Sequence, residues 1–343
     1  MNKLVDIIIQ DAARICEKVN FDVIIGKTIL ITGASGLIGG YFIACLKYLS
    51  QKCNIRFTTI AVMQNEPLPH LKELLNFDNV KIYRGDLTSA EFIGMLPKAD
   101  IIIHAAGYGQ PGRFLQDQIK TLKLNTFSMF MLIDKLAENG KFLFASTSEL
   151  YSGLNNPPFK ESEIGMTSTT HPRACYIEGK RCGEAICNAH RIKGIDAKSV
   201  RLALAYGPGT RPGDMRVINS FIEKSLKGQI TLLDQGQAKR TYCYISDAIE
   251  IMWNVLLFGK DPIYNVGGNS RTTIRELAHK IGSYLNVPVI FPAADKDMAG
   301  APDDVYLDMT KVQLEFGKNE YVTLDKGLAN TIEWQKALYG ISS

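Results

Sequence analysis

The sequence lacks the features that mark several classes of protein. Its 343 residues carry a formal net charge of only +4, which does not favour nucleic-acid binding, since that function usually needs a concentrated basic face. No apolar run approaches the length of a transmembrane helix, and the first residues do not have the layout of a secretory signal peptide. We therefore expect a globular cytoplasmic protein with no nucleic-acid or membrane partner.

Paired cysteines are also missing. The seven cysteines are odd in number and scattered along the chain, and none of them belongs to a Cys-x-x-Cys pair of the kind that binds zinc. Scattered cysteines of this kind are typical of reduced thiols in a cytosolic protein. We therefore expect neither a metal site nor a framework of disulfide bonds.

Short β-branched runs alternate with longer helical stretches through the first two thirds of the chain. This alternation predicts an α/β fold, with a doubly wound parallel sheet and helices on both of its faces. The predicted strands are 28–31, 57–62, 80–83, 101–103, 142–145 and 199–204.

The pattern divides the chain into three parts. Residues 1–25 read as a helical extension, because apolar residues recur at helical spacing before the first strand. Residues 26–206 form the main domain, and 242–270 are expected to return to its sheet. Residues 207–241 and 271–343 are expected to form a smaller C-terminal α/β lobe that binds the substrate. The helices predicted in this lobe are 214–227, 273–285 and 324–339.

A glycine-rich loop follows the first predicted strand and opens a helix. Gly33 permits a tight turn, Gly36 lets the backbone approach a pyrophosphate, and Gly39 lets the helix pack closely on the strand. The N-terminus of the helix adds N–H donors and a positive dipole end. The alternative is an ordinary turn, but the strand–loop–helix context favours a dinucleotide site. Its expected contacts are Gly33, Ser35, Gly36, Leu37, Ile38 and Gly39.

The spacing Gly-x-x-Gly-x-x-Gly resembles that of the extended short-chain dehydrogenase/reductase superfamily. Two later stretches strengthen this resemblance, namely Gly85-Asp86-Leu87 and His104-Ala105-Ala106-Gly107. The resemblance implies a Rossmann-like fold, in which Asp86 and Leu87 hold the adenine. It also implies that Ala105, Ala106 and Gly107 let the cofactor pass. Asp86 by itself could equally cap a helix.

The end of the second predicted strand bears on the choice of cofactor. Enzymes that use NAD usually carry an acid there, which binds the ribose hydroxyls. This chain has Val62-Met63-Gln64-Asn65, with neither an acid nor a basic residue for a 2′-phosphate. We predict NAD, and NADP is not excluded.

Tyr176 and Lys180 are four residues apart and share one face of a predicted helix. A free tyrosine has a pKa near 10, but a neighbouring ammonium group and a nicotinamide cation would favour the phenolate. Tyr176 could then take a proton from a sugar hydroxyl. The alternative is a solvated helix face. The resemblance to the short-chain dehydrogenase/reductase superfamily implies that Tyr176 and Lys180 both contact the cofactor. It also implies that Thr147 occupies the position of the Ser or Thr that binds the reacting hydroxyl.

The run Thr147-Ser148-Glu149 resembles UDP-glucuronate decarboxylases and GDP-mannose 4,6-dehydratases. Once C4 of the sugar is a ketone, a carboxylate such as Glu149 near C5 suits either reaction. Simple 4-epimerases usually lack this acid. The resemblance therefore implies an NAD-dependent lyase or isomerase that acts on a nucleotide-diphosphate sugar by transient oxidation at C4.

The wider resemblance covers roughly residues 26–340 and is strongest to the UDP-glucuronate decarboxylases. The segments that carry it are 119–126, 172–181, 216–221 and 240–247. It implies that Ser148, Arg216, Asn219 and Arg240 contact the substrate, although each arginine could also be a surface charge.

Other functions stay open, because the chain has Leu204 where those relatives have Asn. A 4,6-dehydratase or 4-epimerase for surface polysaccharide synthesis is the main alternative. A non-catalytic dinucleotide-binding regulator is a remote one, since the residues required for catalysis are all present. The resemblance also implies a homodimer that pairs through the Tyr-x-x-x-Lys helix and a long helix at about 114–138. That helix carries more apolar residues than a single face packed on the core requires, which leaves some of them to contact a second subunit. They are Phe127, Met129, Met131 and Leu132.

Overall fold

The computed structural model describes residues 2–293 and 304–341. The strands are β1 (Thr28–Thr32), β2 (Thr58–Met63), β3 (Val80–Arg84), β4 (Ala99–His104), β5 (Leu136–Thr147), β6 (Asp196–Leu202), β7 (Leu204–Tyr206), β8 (Ile230–Thr231), β9 (Lys239–Tyr244), β10 (Ile263–Val266), β11 (Ser270–Thr273), β12 (Val289–Ile290) and β13 (Asp304–Val305). The helices are α1 (Lys3–Lys18), α2 (Leu37–Lys52), α3 (Pro69–Leu74), α4 (Ala90–Met95), α5 (Pro111–Phe114), α6 (Gln118–Asn125), α7 (Phe127–Ile133), α8 (Ala174–Ile192), α9 (Val217–Leu226), α10 (Ile245–Phe258), α11 (Ile274–Leu285), α12 (Thr310–Phe316) and α13 (Leu324–Leu338).

The main sheet has seven strands in the order β10-β6-β5-β4-β1-β2-β3. Every neighbouring pair in it is parallel. Strand β1 is buried from Ile29 to Thr32 and has three consecutive apolar residues, as expected for a central strand whose sheet is covered by helices on both faces. The predicted Rossmann-like α/β fold is confirmed. None of the described helices is long and apolar enough to cross a membrane.

One predicted strand, 199–204, is divided between two sheets. β6 ends at Leu202 in the main sheet, and β7 begins at Leu204 and pairs with β9 of a smaller sheet. A tight turn at Ala203, whose carbonyl accepts a hydrogen bond from the Ala205 N–H at 2.7 Å, makes the change of direction. The single-strand prediction was therefore wrong at this point.

The long helix predicted at about 114–138 is interrupted twice. α6 ends at Asn125, and Thr126 leaves the helical conformation with φ −126° and ψ −72°. The Thr126 hydroxyl donates to the Leu122 carbonyl at 2.8 Å, a bond that bends helices. The segment is already strand from Leu136, so the helix prediction was wrong beyond α7. Met129 and Leu132 are fully buried, whereas Phe127 and Met131 are half-buried.

The C-terminal part forms a lobe around a small sheet, in which β11, β9 and β13 are neighbours and β7 also pairs with β9. α10 and β10 return to the main domain, where β10 pairs with β6. The start of the predicted return segment, Tyr242–Tyr244, belongs instead to β9. Part of the predicted lobe, 294–303 and 342–343, lies outside the described residues.

α1 coincides with the helix predicted at the N-terminus and packs against α2, α10 and α13. Its apolar face, which includes Ile8 and Ala12, is fully buried. The buried Asp11 carboxylate accepts hydrogen bonds from the hydroxyls of Tyr41 at 2.9 Å and Tyr244 at 2.7 Å. The extension therefore joins the helix after the glycine loop to the lobe.

Candidate active site

The glycine loop connects β1 to α2, and its shape depends on residues without side chains. Gly33 has φ +67°, and a Cβ atom on it would lie 2.7 Å from the Ala106 nitrogen. A Cβ atom on Gly39 would lie 2.3 Å from the Gly33 oxygen. Gly36 closes the turn by donating to the Gly33 carbonyl at 2.8 Å, and it is the N-cap of α2. The first N–H groups of α2 therefore have no acceptor within the helix, which fits the diphosphate of a dinucleotide.

The carboxyl end of β4 borders this loop, and Asp86 follows β3, which lies two strands from β1 in the sheet. Ala105 and Ala106 lie against Gly33, and a Cβ atom on Gly107 would lie 3.6 Å from the Lys180 Nζ atom. The Asp86 carboxylate accepts from the Thr88 N–H at 2.9 Å and from the Lys120 Nζ at 2.6 Å. Burial raises the pKa of Asp86, but these partners outweigh it and lower the pKa below its usual value. Leu87 is buried beside it.

His104, at the end of β4, links three elements that lie next to the glycine loop. Burial lowers its pKa to about 4, so the imidazole is neutral. Its Nε2 lies 3.0 Å from the Leu124 carbonyl, which can only accept, so Nε2 carries the proton. Nδ1 then accepts from the Thr32 hydroxyl at 2.7 Å. This chain of bonds joins β4, β1 and α6 beneath the loop.

Tyr176 and Lys180 lie on the first turns of α8, and both side chains are buried. The Lys180 Nζ donates to the Ala145 carbonyl at 2.6 Å and lies 6.0 Å from the centre of the Tyr176 ring. The Tyr176 ring stacks on Phe114, with centroids 4.7 Å apart and planes 4° from parallel. Hydrogen bonding from the Thr147 side chain counteracts the effect of burial on the pKa of Tyr176, which places the two side chains next to each other. The structure thus brings Thr147, Tyr176 and Lys180 together.

The protein alone does not favour the tyrosinate. Burial raises the pKa of Tyr176 well above its usual value, and the charge of Glu149 raises it further. Hydrogen bonding to Thr147 and the charges of Arg173 and Arg216 act in the opposite direction. Burial also lowers the pKa of Lys180 to about 7. Tyr176 therefore needs a further positive charge in the site before it can act as a base at neutral pH.

Glu149 lies in the 3-10 turn Ser148–Tyr151, which directly follows β5. Its Oε1 is 3.0 Å from the Arg173 Nη1, whereas its Oε2 is buried and has no hydrogen-bond partner among residues 2–293 and 304–341. Burial raises the pKa of Glu149, although Arg173, His171 and Arg240 counteract the rise. A carboxylate with one buried, unpaired oxygen beside Tyr176 is placed to exchange a proton with a bound substrate.

The lobe brings two of the predicted substrate residues towards the site. The charge of Arg216 acts on Tyr176, and that of Arg240 acts on Glu149. Arg216 also pairs with Asp214, with 2.6 Å between Nη2 and Oδ2. The Ser148 side chain is buried at the start of its turn.

Asn219, the fourth predicted substrate residue, is buried within the lobe. Its Oδ1 accepts from the Thr210 hydroxyl at 3.3 Å and from the Gln335 Nε2 at 2.9 Å. Against the effect of burial, Asn219 also helps Arg216 to lower the pKa of the Asp214 carboxyl. These partners occupy its amide, so its role towards a substrate stays a prediction.

Sequence reasoning missed three residues of the site. Arg173 stands three positions before Tyr176 within the similar segment 172–181, so its place on the helix could have indicated it. Asn125 lies in the similar segment 119–126; it is fully buried, and its Oδ1 has no partner in the part of the chain that the structure describes. Phe114 left no signal, because its contact with Tyr176 depends on the path of the loop after β4. The described residues contain no cluster of His, Cys, Asp or Glu suited to a metal ion.

Comparisons with known proteins agree with this arrangement. The chain is 28% identical over 318 residues to the UDP-glucuronic acid decarboxylase 1 of Xenopus tropicalis, covering 90% of this chain and 72% of the relative. It is 29% identical over 311 residues to the UDP-glucuronic acid decarboxylase 5 of Arabidopsis thaliana, covering 88% and 86%. The dTDP-glucose 4,6-dehydratase DesIV of Streptomyces venezuelae, solved with NAD, has a similar fold, with a TM-score of 0.79, 23% identity and coverage of 91% and 98%.

The family model that matches the chain spans residues 29–267, which include the glycine loop, Glu149, Tyr176 and Lys180. Its description names NAD, so the predictions of an enzyme of this type and of NAD as its cofactor are confirmed. The chain belongs to the NAD dependent epimerase/dehydratase family.

Proposed function

We propose that this protein oxidises C4 of the sugar in a nucleotide-diphosphate sugar and then decarboxylates it, with UDP-glucuronate as the substrate. The observation that carries the proposal is the position of Glu149, a buried carboxylate next to Tyr176 with one oxygen that no described residue pairs with. A 4-epimerase needs no such group after the oxidation. The relatives named as UDP-glucuronic acid decarboxylases support this substrate class.

The first half of the reaction depends on the residues around Tyr176. When bound, NAD would supply the hydride acceptor for C4, a positive charge that favours the tyrosinate, and the hydride that returns to C4 after carbon dioxide has left. Thr147 orients the C4 hydroxyl, and Tyr176 accepts its proton as the C4–H bond breaks. Lys180, held on the Ala145 carbonyl, adds positive charge that favours the tyrosinate.

The second half depends on Glu149. The C4 ketone makes a C6 carboxylate a β-keto acid, so the C5–C6 bond can break and release carbon dioxide. The electron pair of that bond moves towards the C4 oxygen, and C5 then needs a proton. Burial raises the pKa of Glu149, which favours the protonated acid that this step requires. In a dehydratase the same carboxylate would instead remove the C5 proton.

Product analysis separates these reactions. The purified protein is incubated with UDP-glucuronate, UDP-glucose or dTDP-glucose in separate reactions, and the products are identified by mass spectrometry. We expect loss of carbon dioxide from UDP-glucuronate. Loss of water from a neutral hexose would identify a 4,6-dehydratase, and a product of unchanged mass whose proton NMR spectrum differs from that of the substrate would identify a 4-epimerase. Tight NAD binding without conversion of any of these sugars would favour the non-catalytic regulator.

We also propose that the protein is a homodimer in the cytoplasm and serves surface polysaccharide synthesis. Ile119 on α6 is 66% exposed, and Phe130 on α7 is 53% exposed, within 6.3 Å of His190 on α8. Exposed apolar side chains on neighbouring helices favour association. The seven cysteines form no disulfide bonds, which suits a reducing compartment.

Sedimentation tests the dimer directly. We expect a dimer at micromolar concentration and a shift towards monomer in F130D, because a buried charge without a partner opposes association. L314D is the matched control, since Leu314 is exposed on α12, away from these helices. A clean monomer of the unaltered protein would contradict the proposal.

A further inference from the structure

Arg211 reaches from the lobe to the glycine loop. It lies between β7 and α9, and its Nη2 donates to the Ser35 hydroxyl at 2.7 Å and to the Ser35 carbonyl at 3.2 Å. Ser35 directly precedes Gly36, the N-cap of α2. A guanidinium group of the lobe therefore lies one residue from the helix end that fits a diphosphate.

The backbone before Arg211 is fixed over the same helix. Gly209 has φ +96°, and a Cβ atom on it would lie 3.3 Å from Leu37 Cδ1 and 3.4 Å from Tyr41 Cε2. The chain therefore passes close to the first turns of α2, and only a residue that tolerates this φ fits there. The packing of the backbone at Gly209 against α2 therefore fixes the position from which the Arg211 side chain reaches the glycine loop.

The charges around Arg211 are unbalanced. No carboxylate of residues 2–293 and 304–341 forms an ion pair with it, whereas Asp214 pairs with the nearby Arg216. Burial and the charge of Arg113, which follows β4, both lower the pKa of Arg211. The Arg211 guanidinium and the N-terminus of α2 thus lie close together without a carboxylate partner among residues 2–293 and 304–341, an arrangement that an anion stabilises.

We propose that Arg211 is a cofactor-binding residue, whose guanidinium binds the diphosphate of NAD together with the N-terminus of α2 while staying bonded to Ser35. This inference rests on the proposed use of NAD. Nη1 of Arg211 makes no hydrogen bond to the described residues, so one edge of the guanidinium can serve the ligand. Cofactor binding then depends on the lobe that also carries the substrate residues Arg216 and Arg240.

The test compares ligands that do and do not contain a diphosphate. Binding of NAD and ADP-ribose is measured by isothermal titration calorimetry, and binding of adenosine by ligand-observed NMR. In R211Q, we expect NAD and ADP-ribose to bind about 10- to 100-fold more weakly, as for the loss of a charged hydrogen bond. Adenosine should bind as before. R211K keeps the positive charge but cannot form two parallel hydrogen bonds as a guanidinium does, so its affinity for NAD and ADP-ribose should fall less than that of R211Q.

R56Q is the matched control, because it removes one exposed charge just before β2. Arg56 lies at the amino ends of the parallel strands, whereas the glycine loop lies at their carboxyl ends. R56Q should bind all three ligands normally, and thermal unfolding should show that R211Q remains folded. Unchanged NAD binding in R211Q, or an equal loss for adenosine, would overturn this inference alone. Failure of the unaltered protein to bind NAD would overturn the proposed function as well.

Discussion

The main domain and the lobe position their functional groups in different ways. In the main domain, parallel strands buried on both faces fix the backbone, and Gly33 and Gly39 bring it within contact distance of its neighbours. The lobe has short strands, such as β8, β12 and β13 with two residues each. Polar side chains of the lobe form hydrogen bonds with one another, as Asn219 and Gln335 do. The glycine loop of the main domain thus presents backbone N–H groups to a ligand, whereas lobe side chains such as Asn219 and Arg216 already have protein partners.

This difference has a consequence for binding. The N–H groups at the start of α2 are ready for a ligand, because no other part of the helix can use them. Arg216 must instead share its guanidinium between Asp214 and a substrate, or exchange one for the other. We therefore expect changes at the glycine loop to weaken cofactor binding, and changes at buried polar residues of the lobe, such as Asn219, to act first on stability.

The largest effect is expected in the main domain, from Y176F. The ring can still stack on Phe114, but the proton acceptor is lost, so turnover should fall by about 10²- to 10⁴-fold. NAD binding should be retained, as measured by calorimetry. Near-normal turnover would mean that another group takes the proton.

Gly39 tests the role of the backbone. In G39A the new methyl group would lie 2.3 Å from the Gly33 oxygen, so the loop must shift. We expect the free energy of unfolding to fall by about 1–3 kcal/mol and NAD to bind more weakly. G94A is the control, because a Cβ atom there meets nothing within 4 Å. Equal behaviour of both variants in denaturant unfolding and calorimetry would contradict the assigned role of the loop.

Lys180 links the site to pH-dependent stability. Its pKa is about 7 in the folded protein and 10.5 as a free side chain. The buried charge therefore penalises the folded state fully below about pH 7, and the penalty disappears as the pH rises towards about 10. The difference in melting temperature between K180M and the unaltered protein should therefore be several degrees more favourable to K180M at about pH 7 than at about pH 10. Thermal unfolding at both pH values checks this, and a difference independent of pH would refute it.

The smallest effect is expected in the lobe, from N219A. Removing the amide leaves Thr210 and Gln335 without their shared acceptor, so we expect a loss of about 1–2 kcal/mol in denaturant unfolding. A variant with unchanged stability and a raised KM would instead favour the direct substrate contact predicted from the sequence.

The predictions of local structure from sequence succeeded where the determinants were local, whereas the functional roles of the site residues stay predictions. The glycine loop, α1 and the spacing of Tyr176 and Lys180 follow from residue types and periodicity within a short window. The NAD-dependent family followed from the same motifs. Asp86 shows the limit of such reasoning, since the carboxylate assigned to the adenine also accepts from Thr88 and Lys120.

The remaining features depend on contacts that are distant in sequence. The break between α6 and α7 is accompanied by a hydrogen bond from the Ser128 hydroxyl to the Leu87 carbonyl at 2.7 Å, which no pattern in the helix predicts. The departure of β7 from the main sheet depends on its pairing with β9. Phe114 and Arg211 reach the site only because loops from other parts of the chain are folded over it.

The most direct test of the central claim is E149Q, which keeps the shape of Glu149 and removes its carboxylate. The variant is mixed with UDP-glucuronate, and the near-ultraviolet absorbance of the reduced dinucleotide is followed without any added reductant. A parallel sample is then quenched with borohydride to trap the sugar. If Glu149 acts after the oxidation, the absorbance should rise and persist, and a 4-keto sugar should accumulate. Absence of any reduced dinucleotide would mean that Glu149 serves the first step instead. Normal turnover would contradict the account and favour epimerisation.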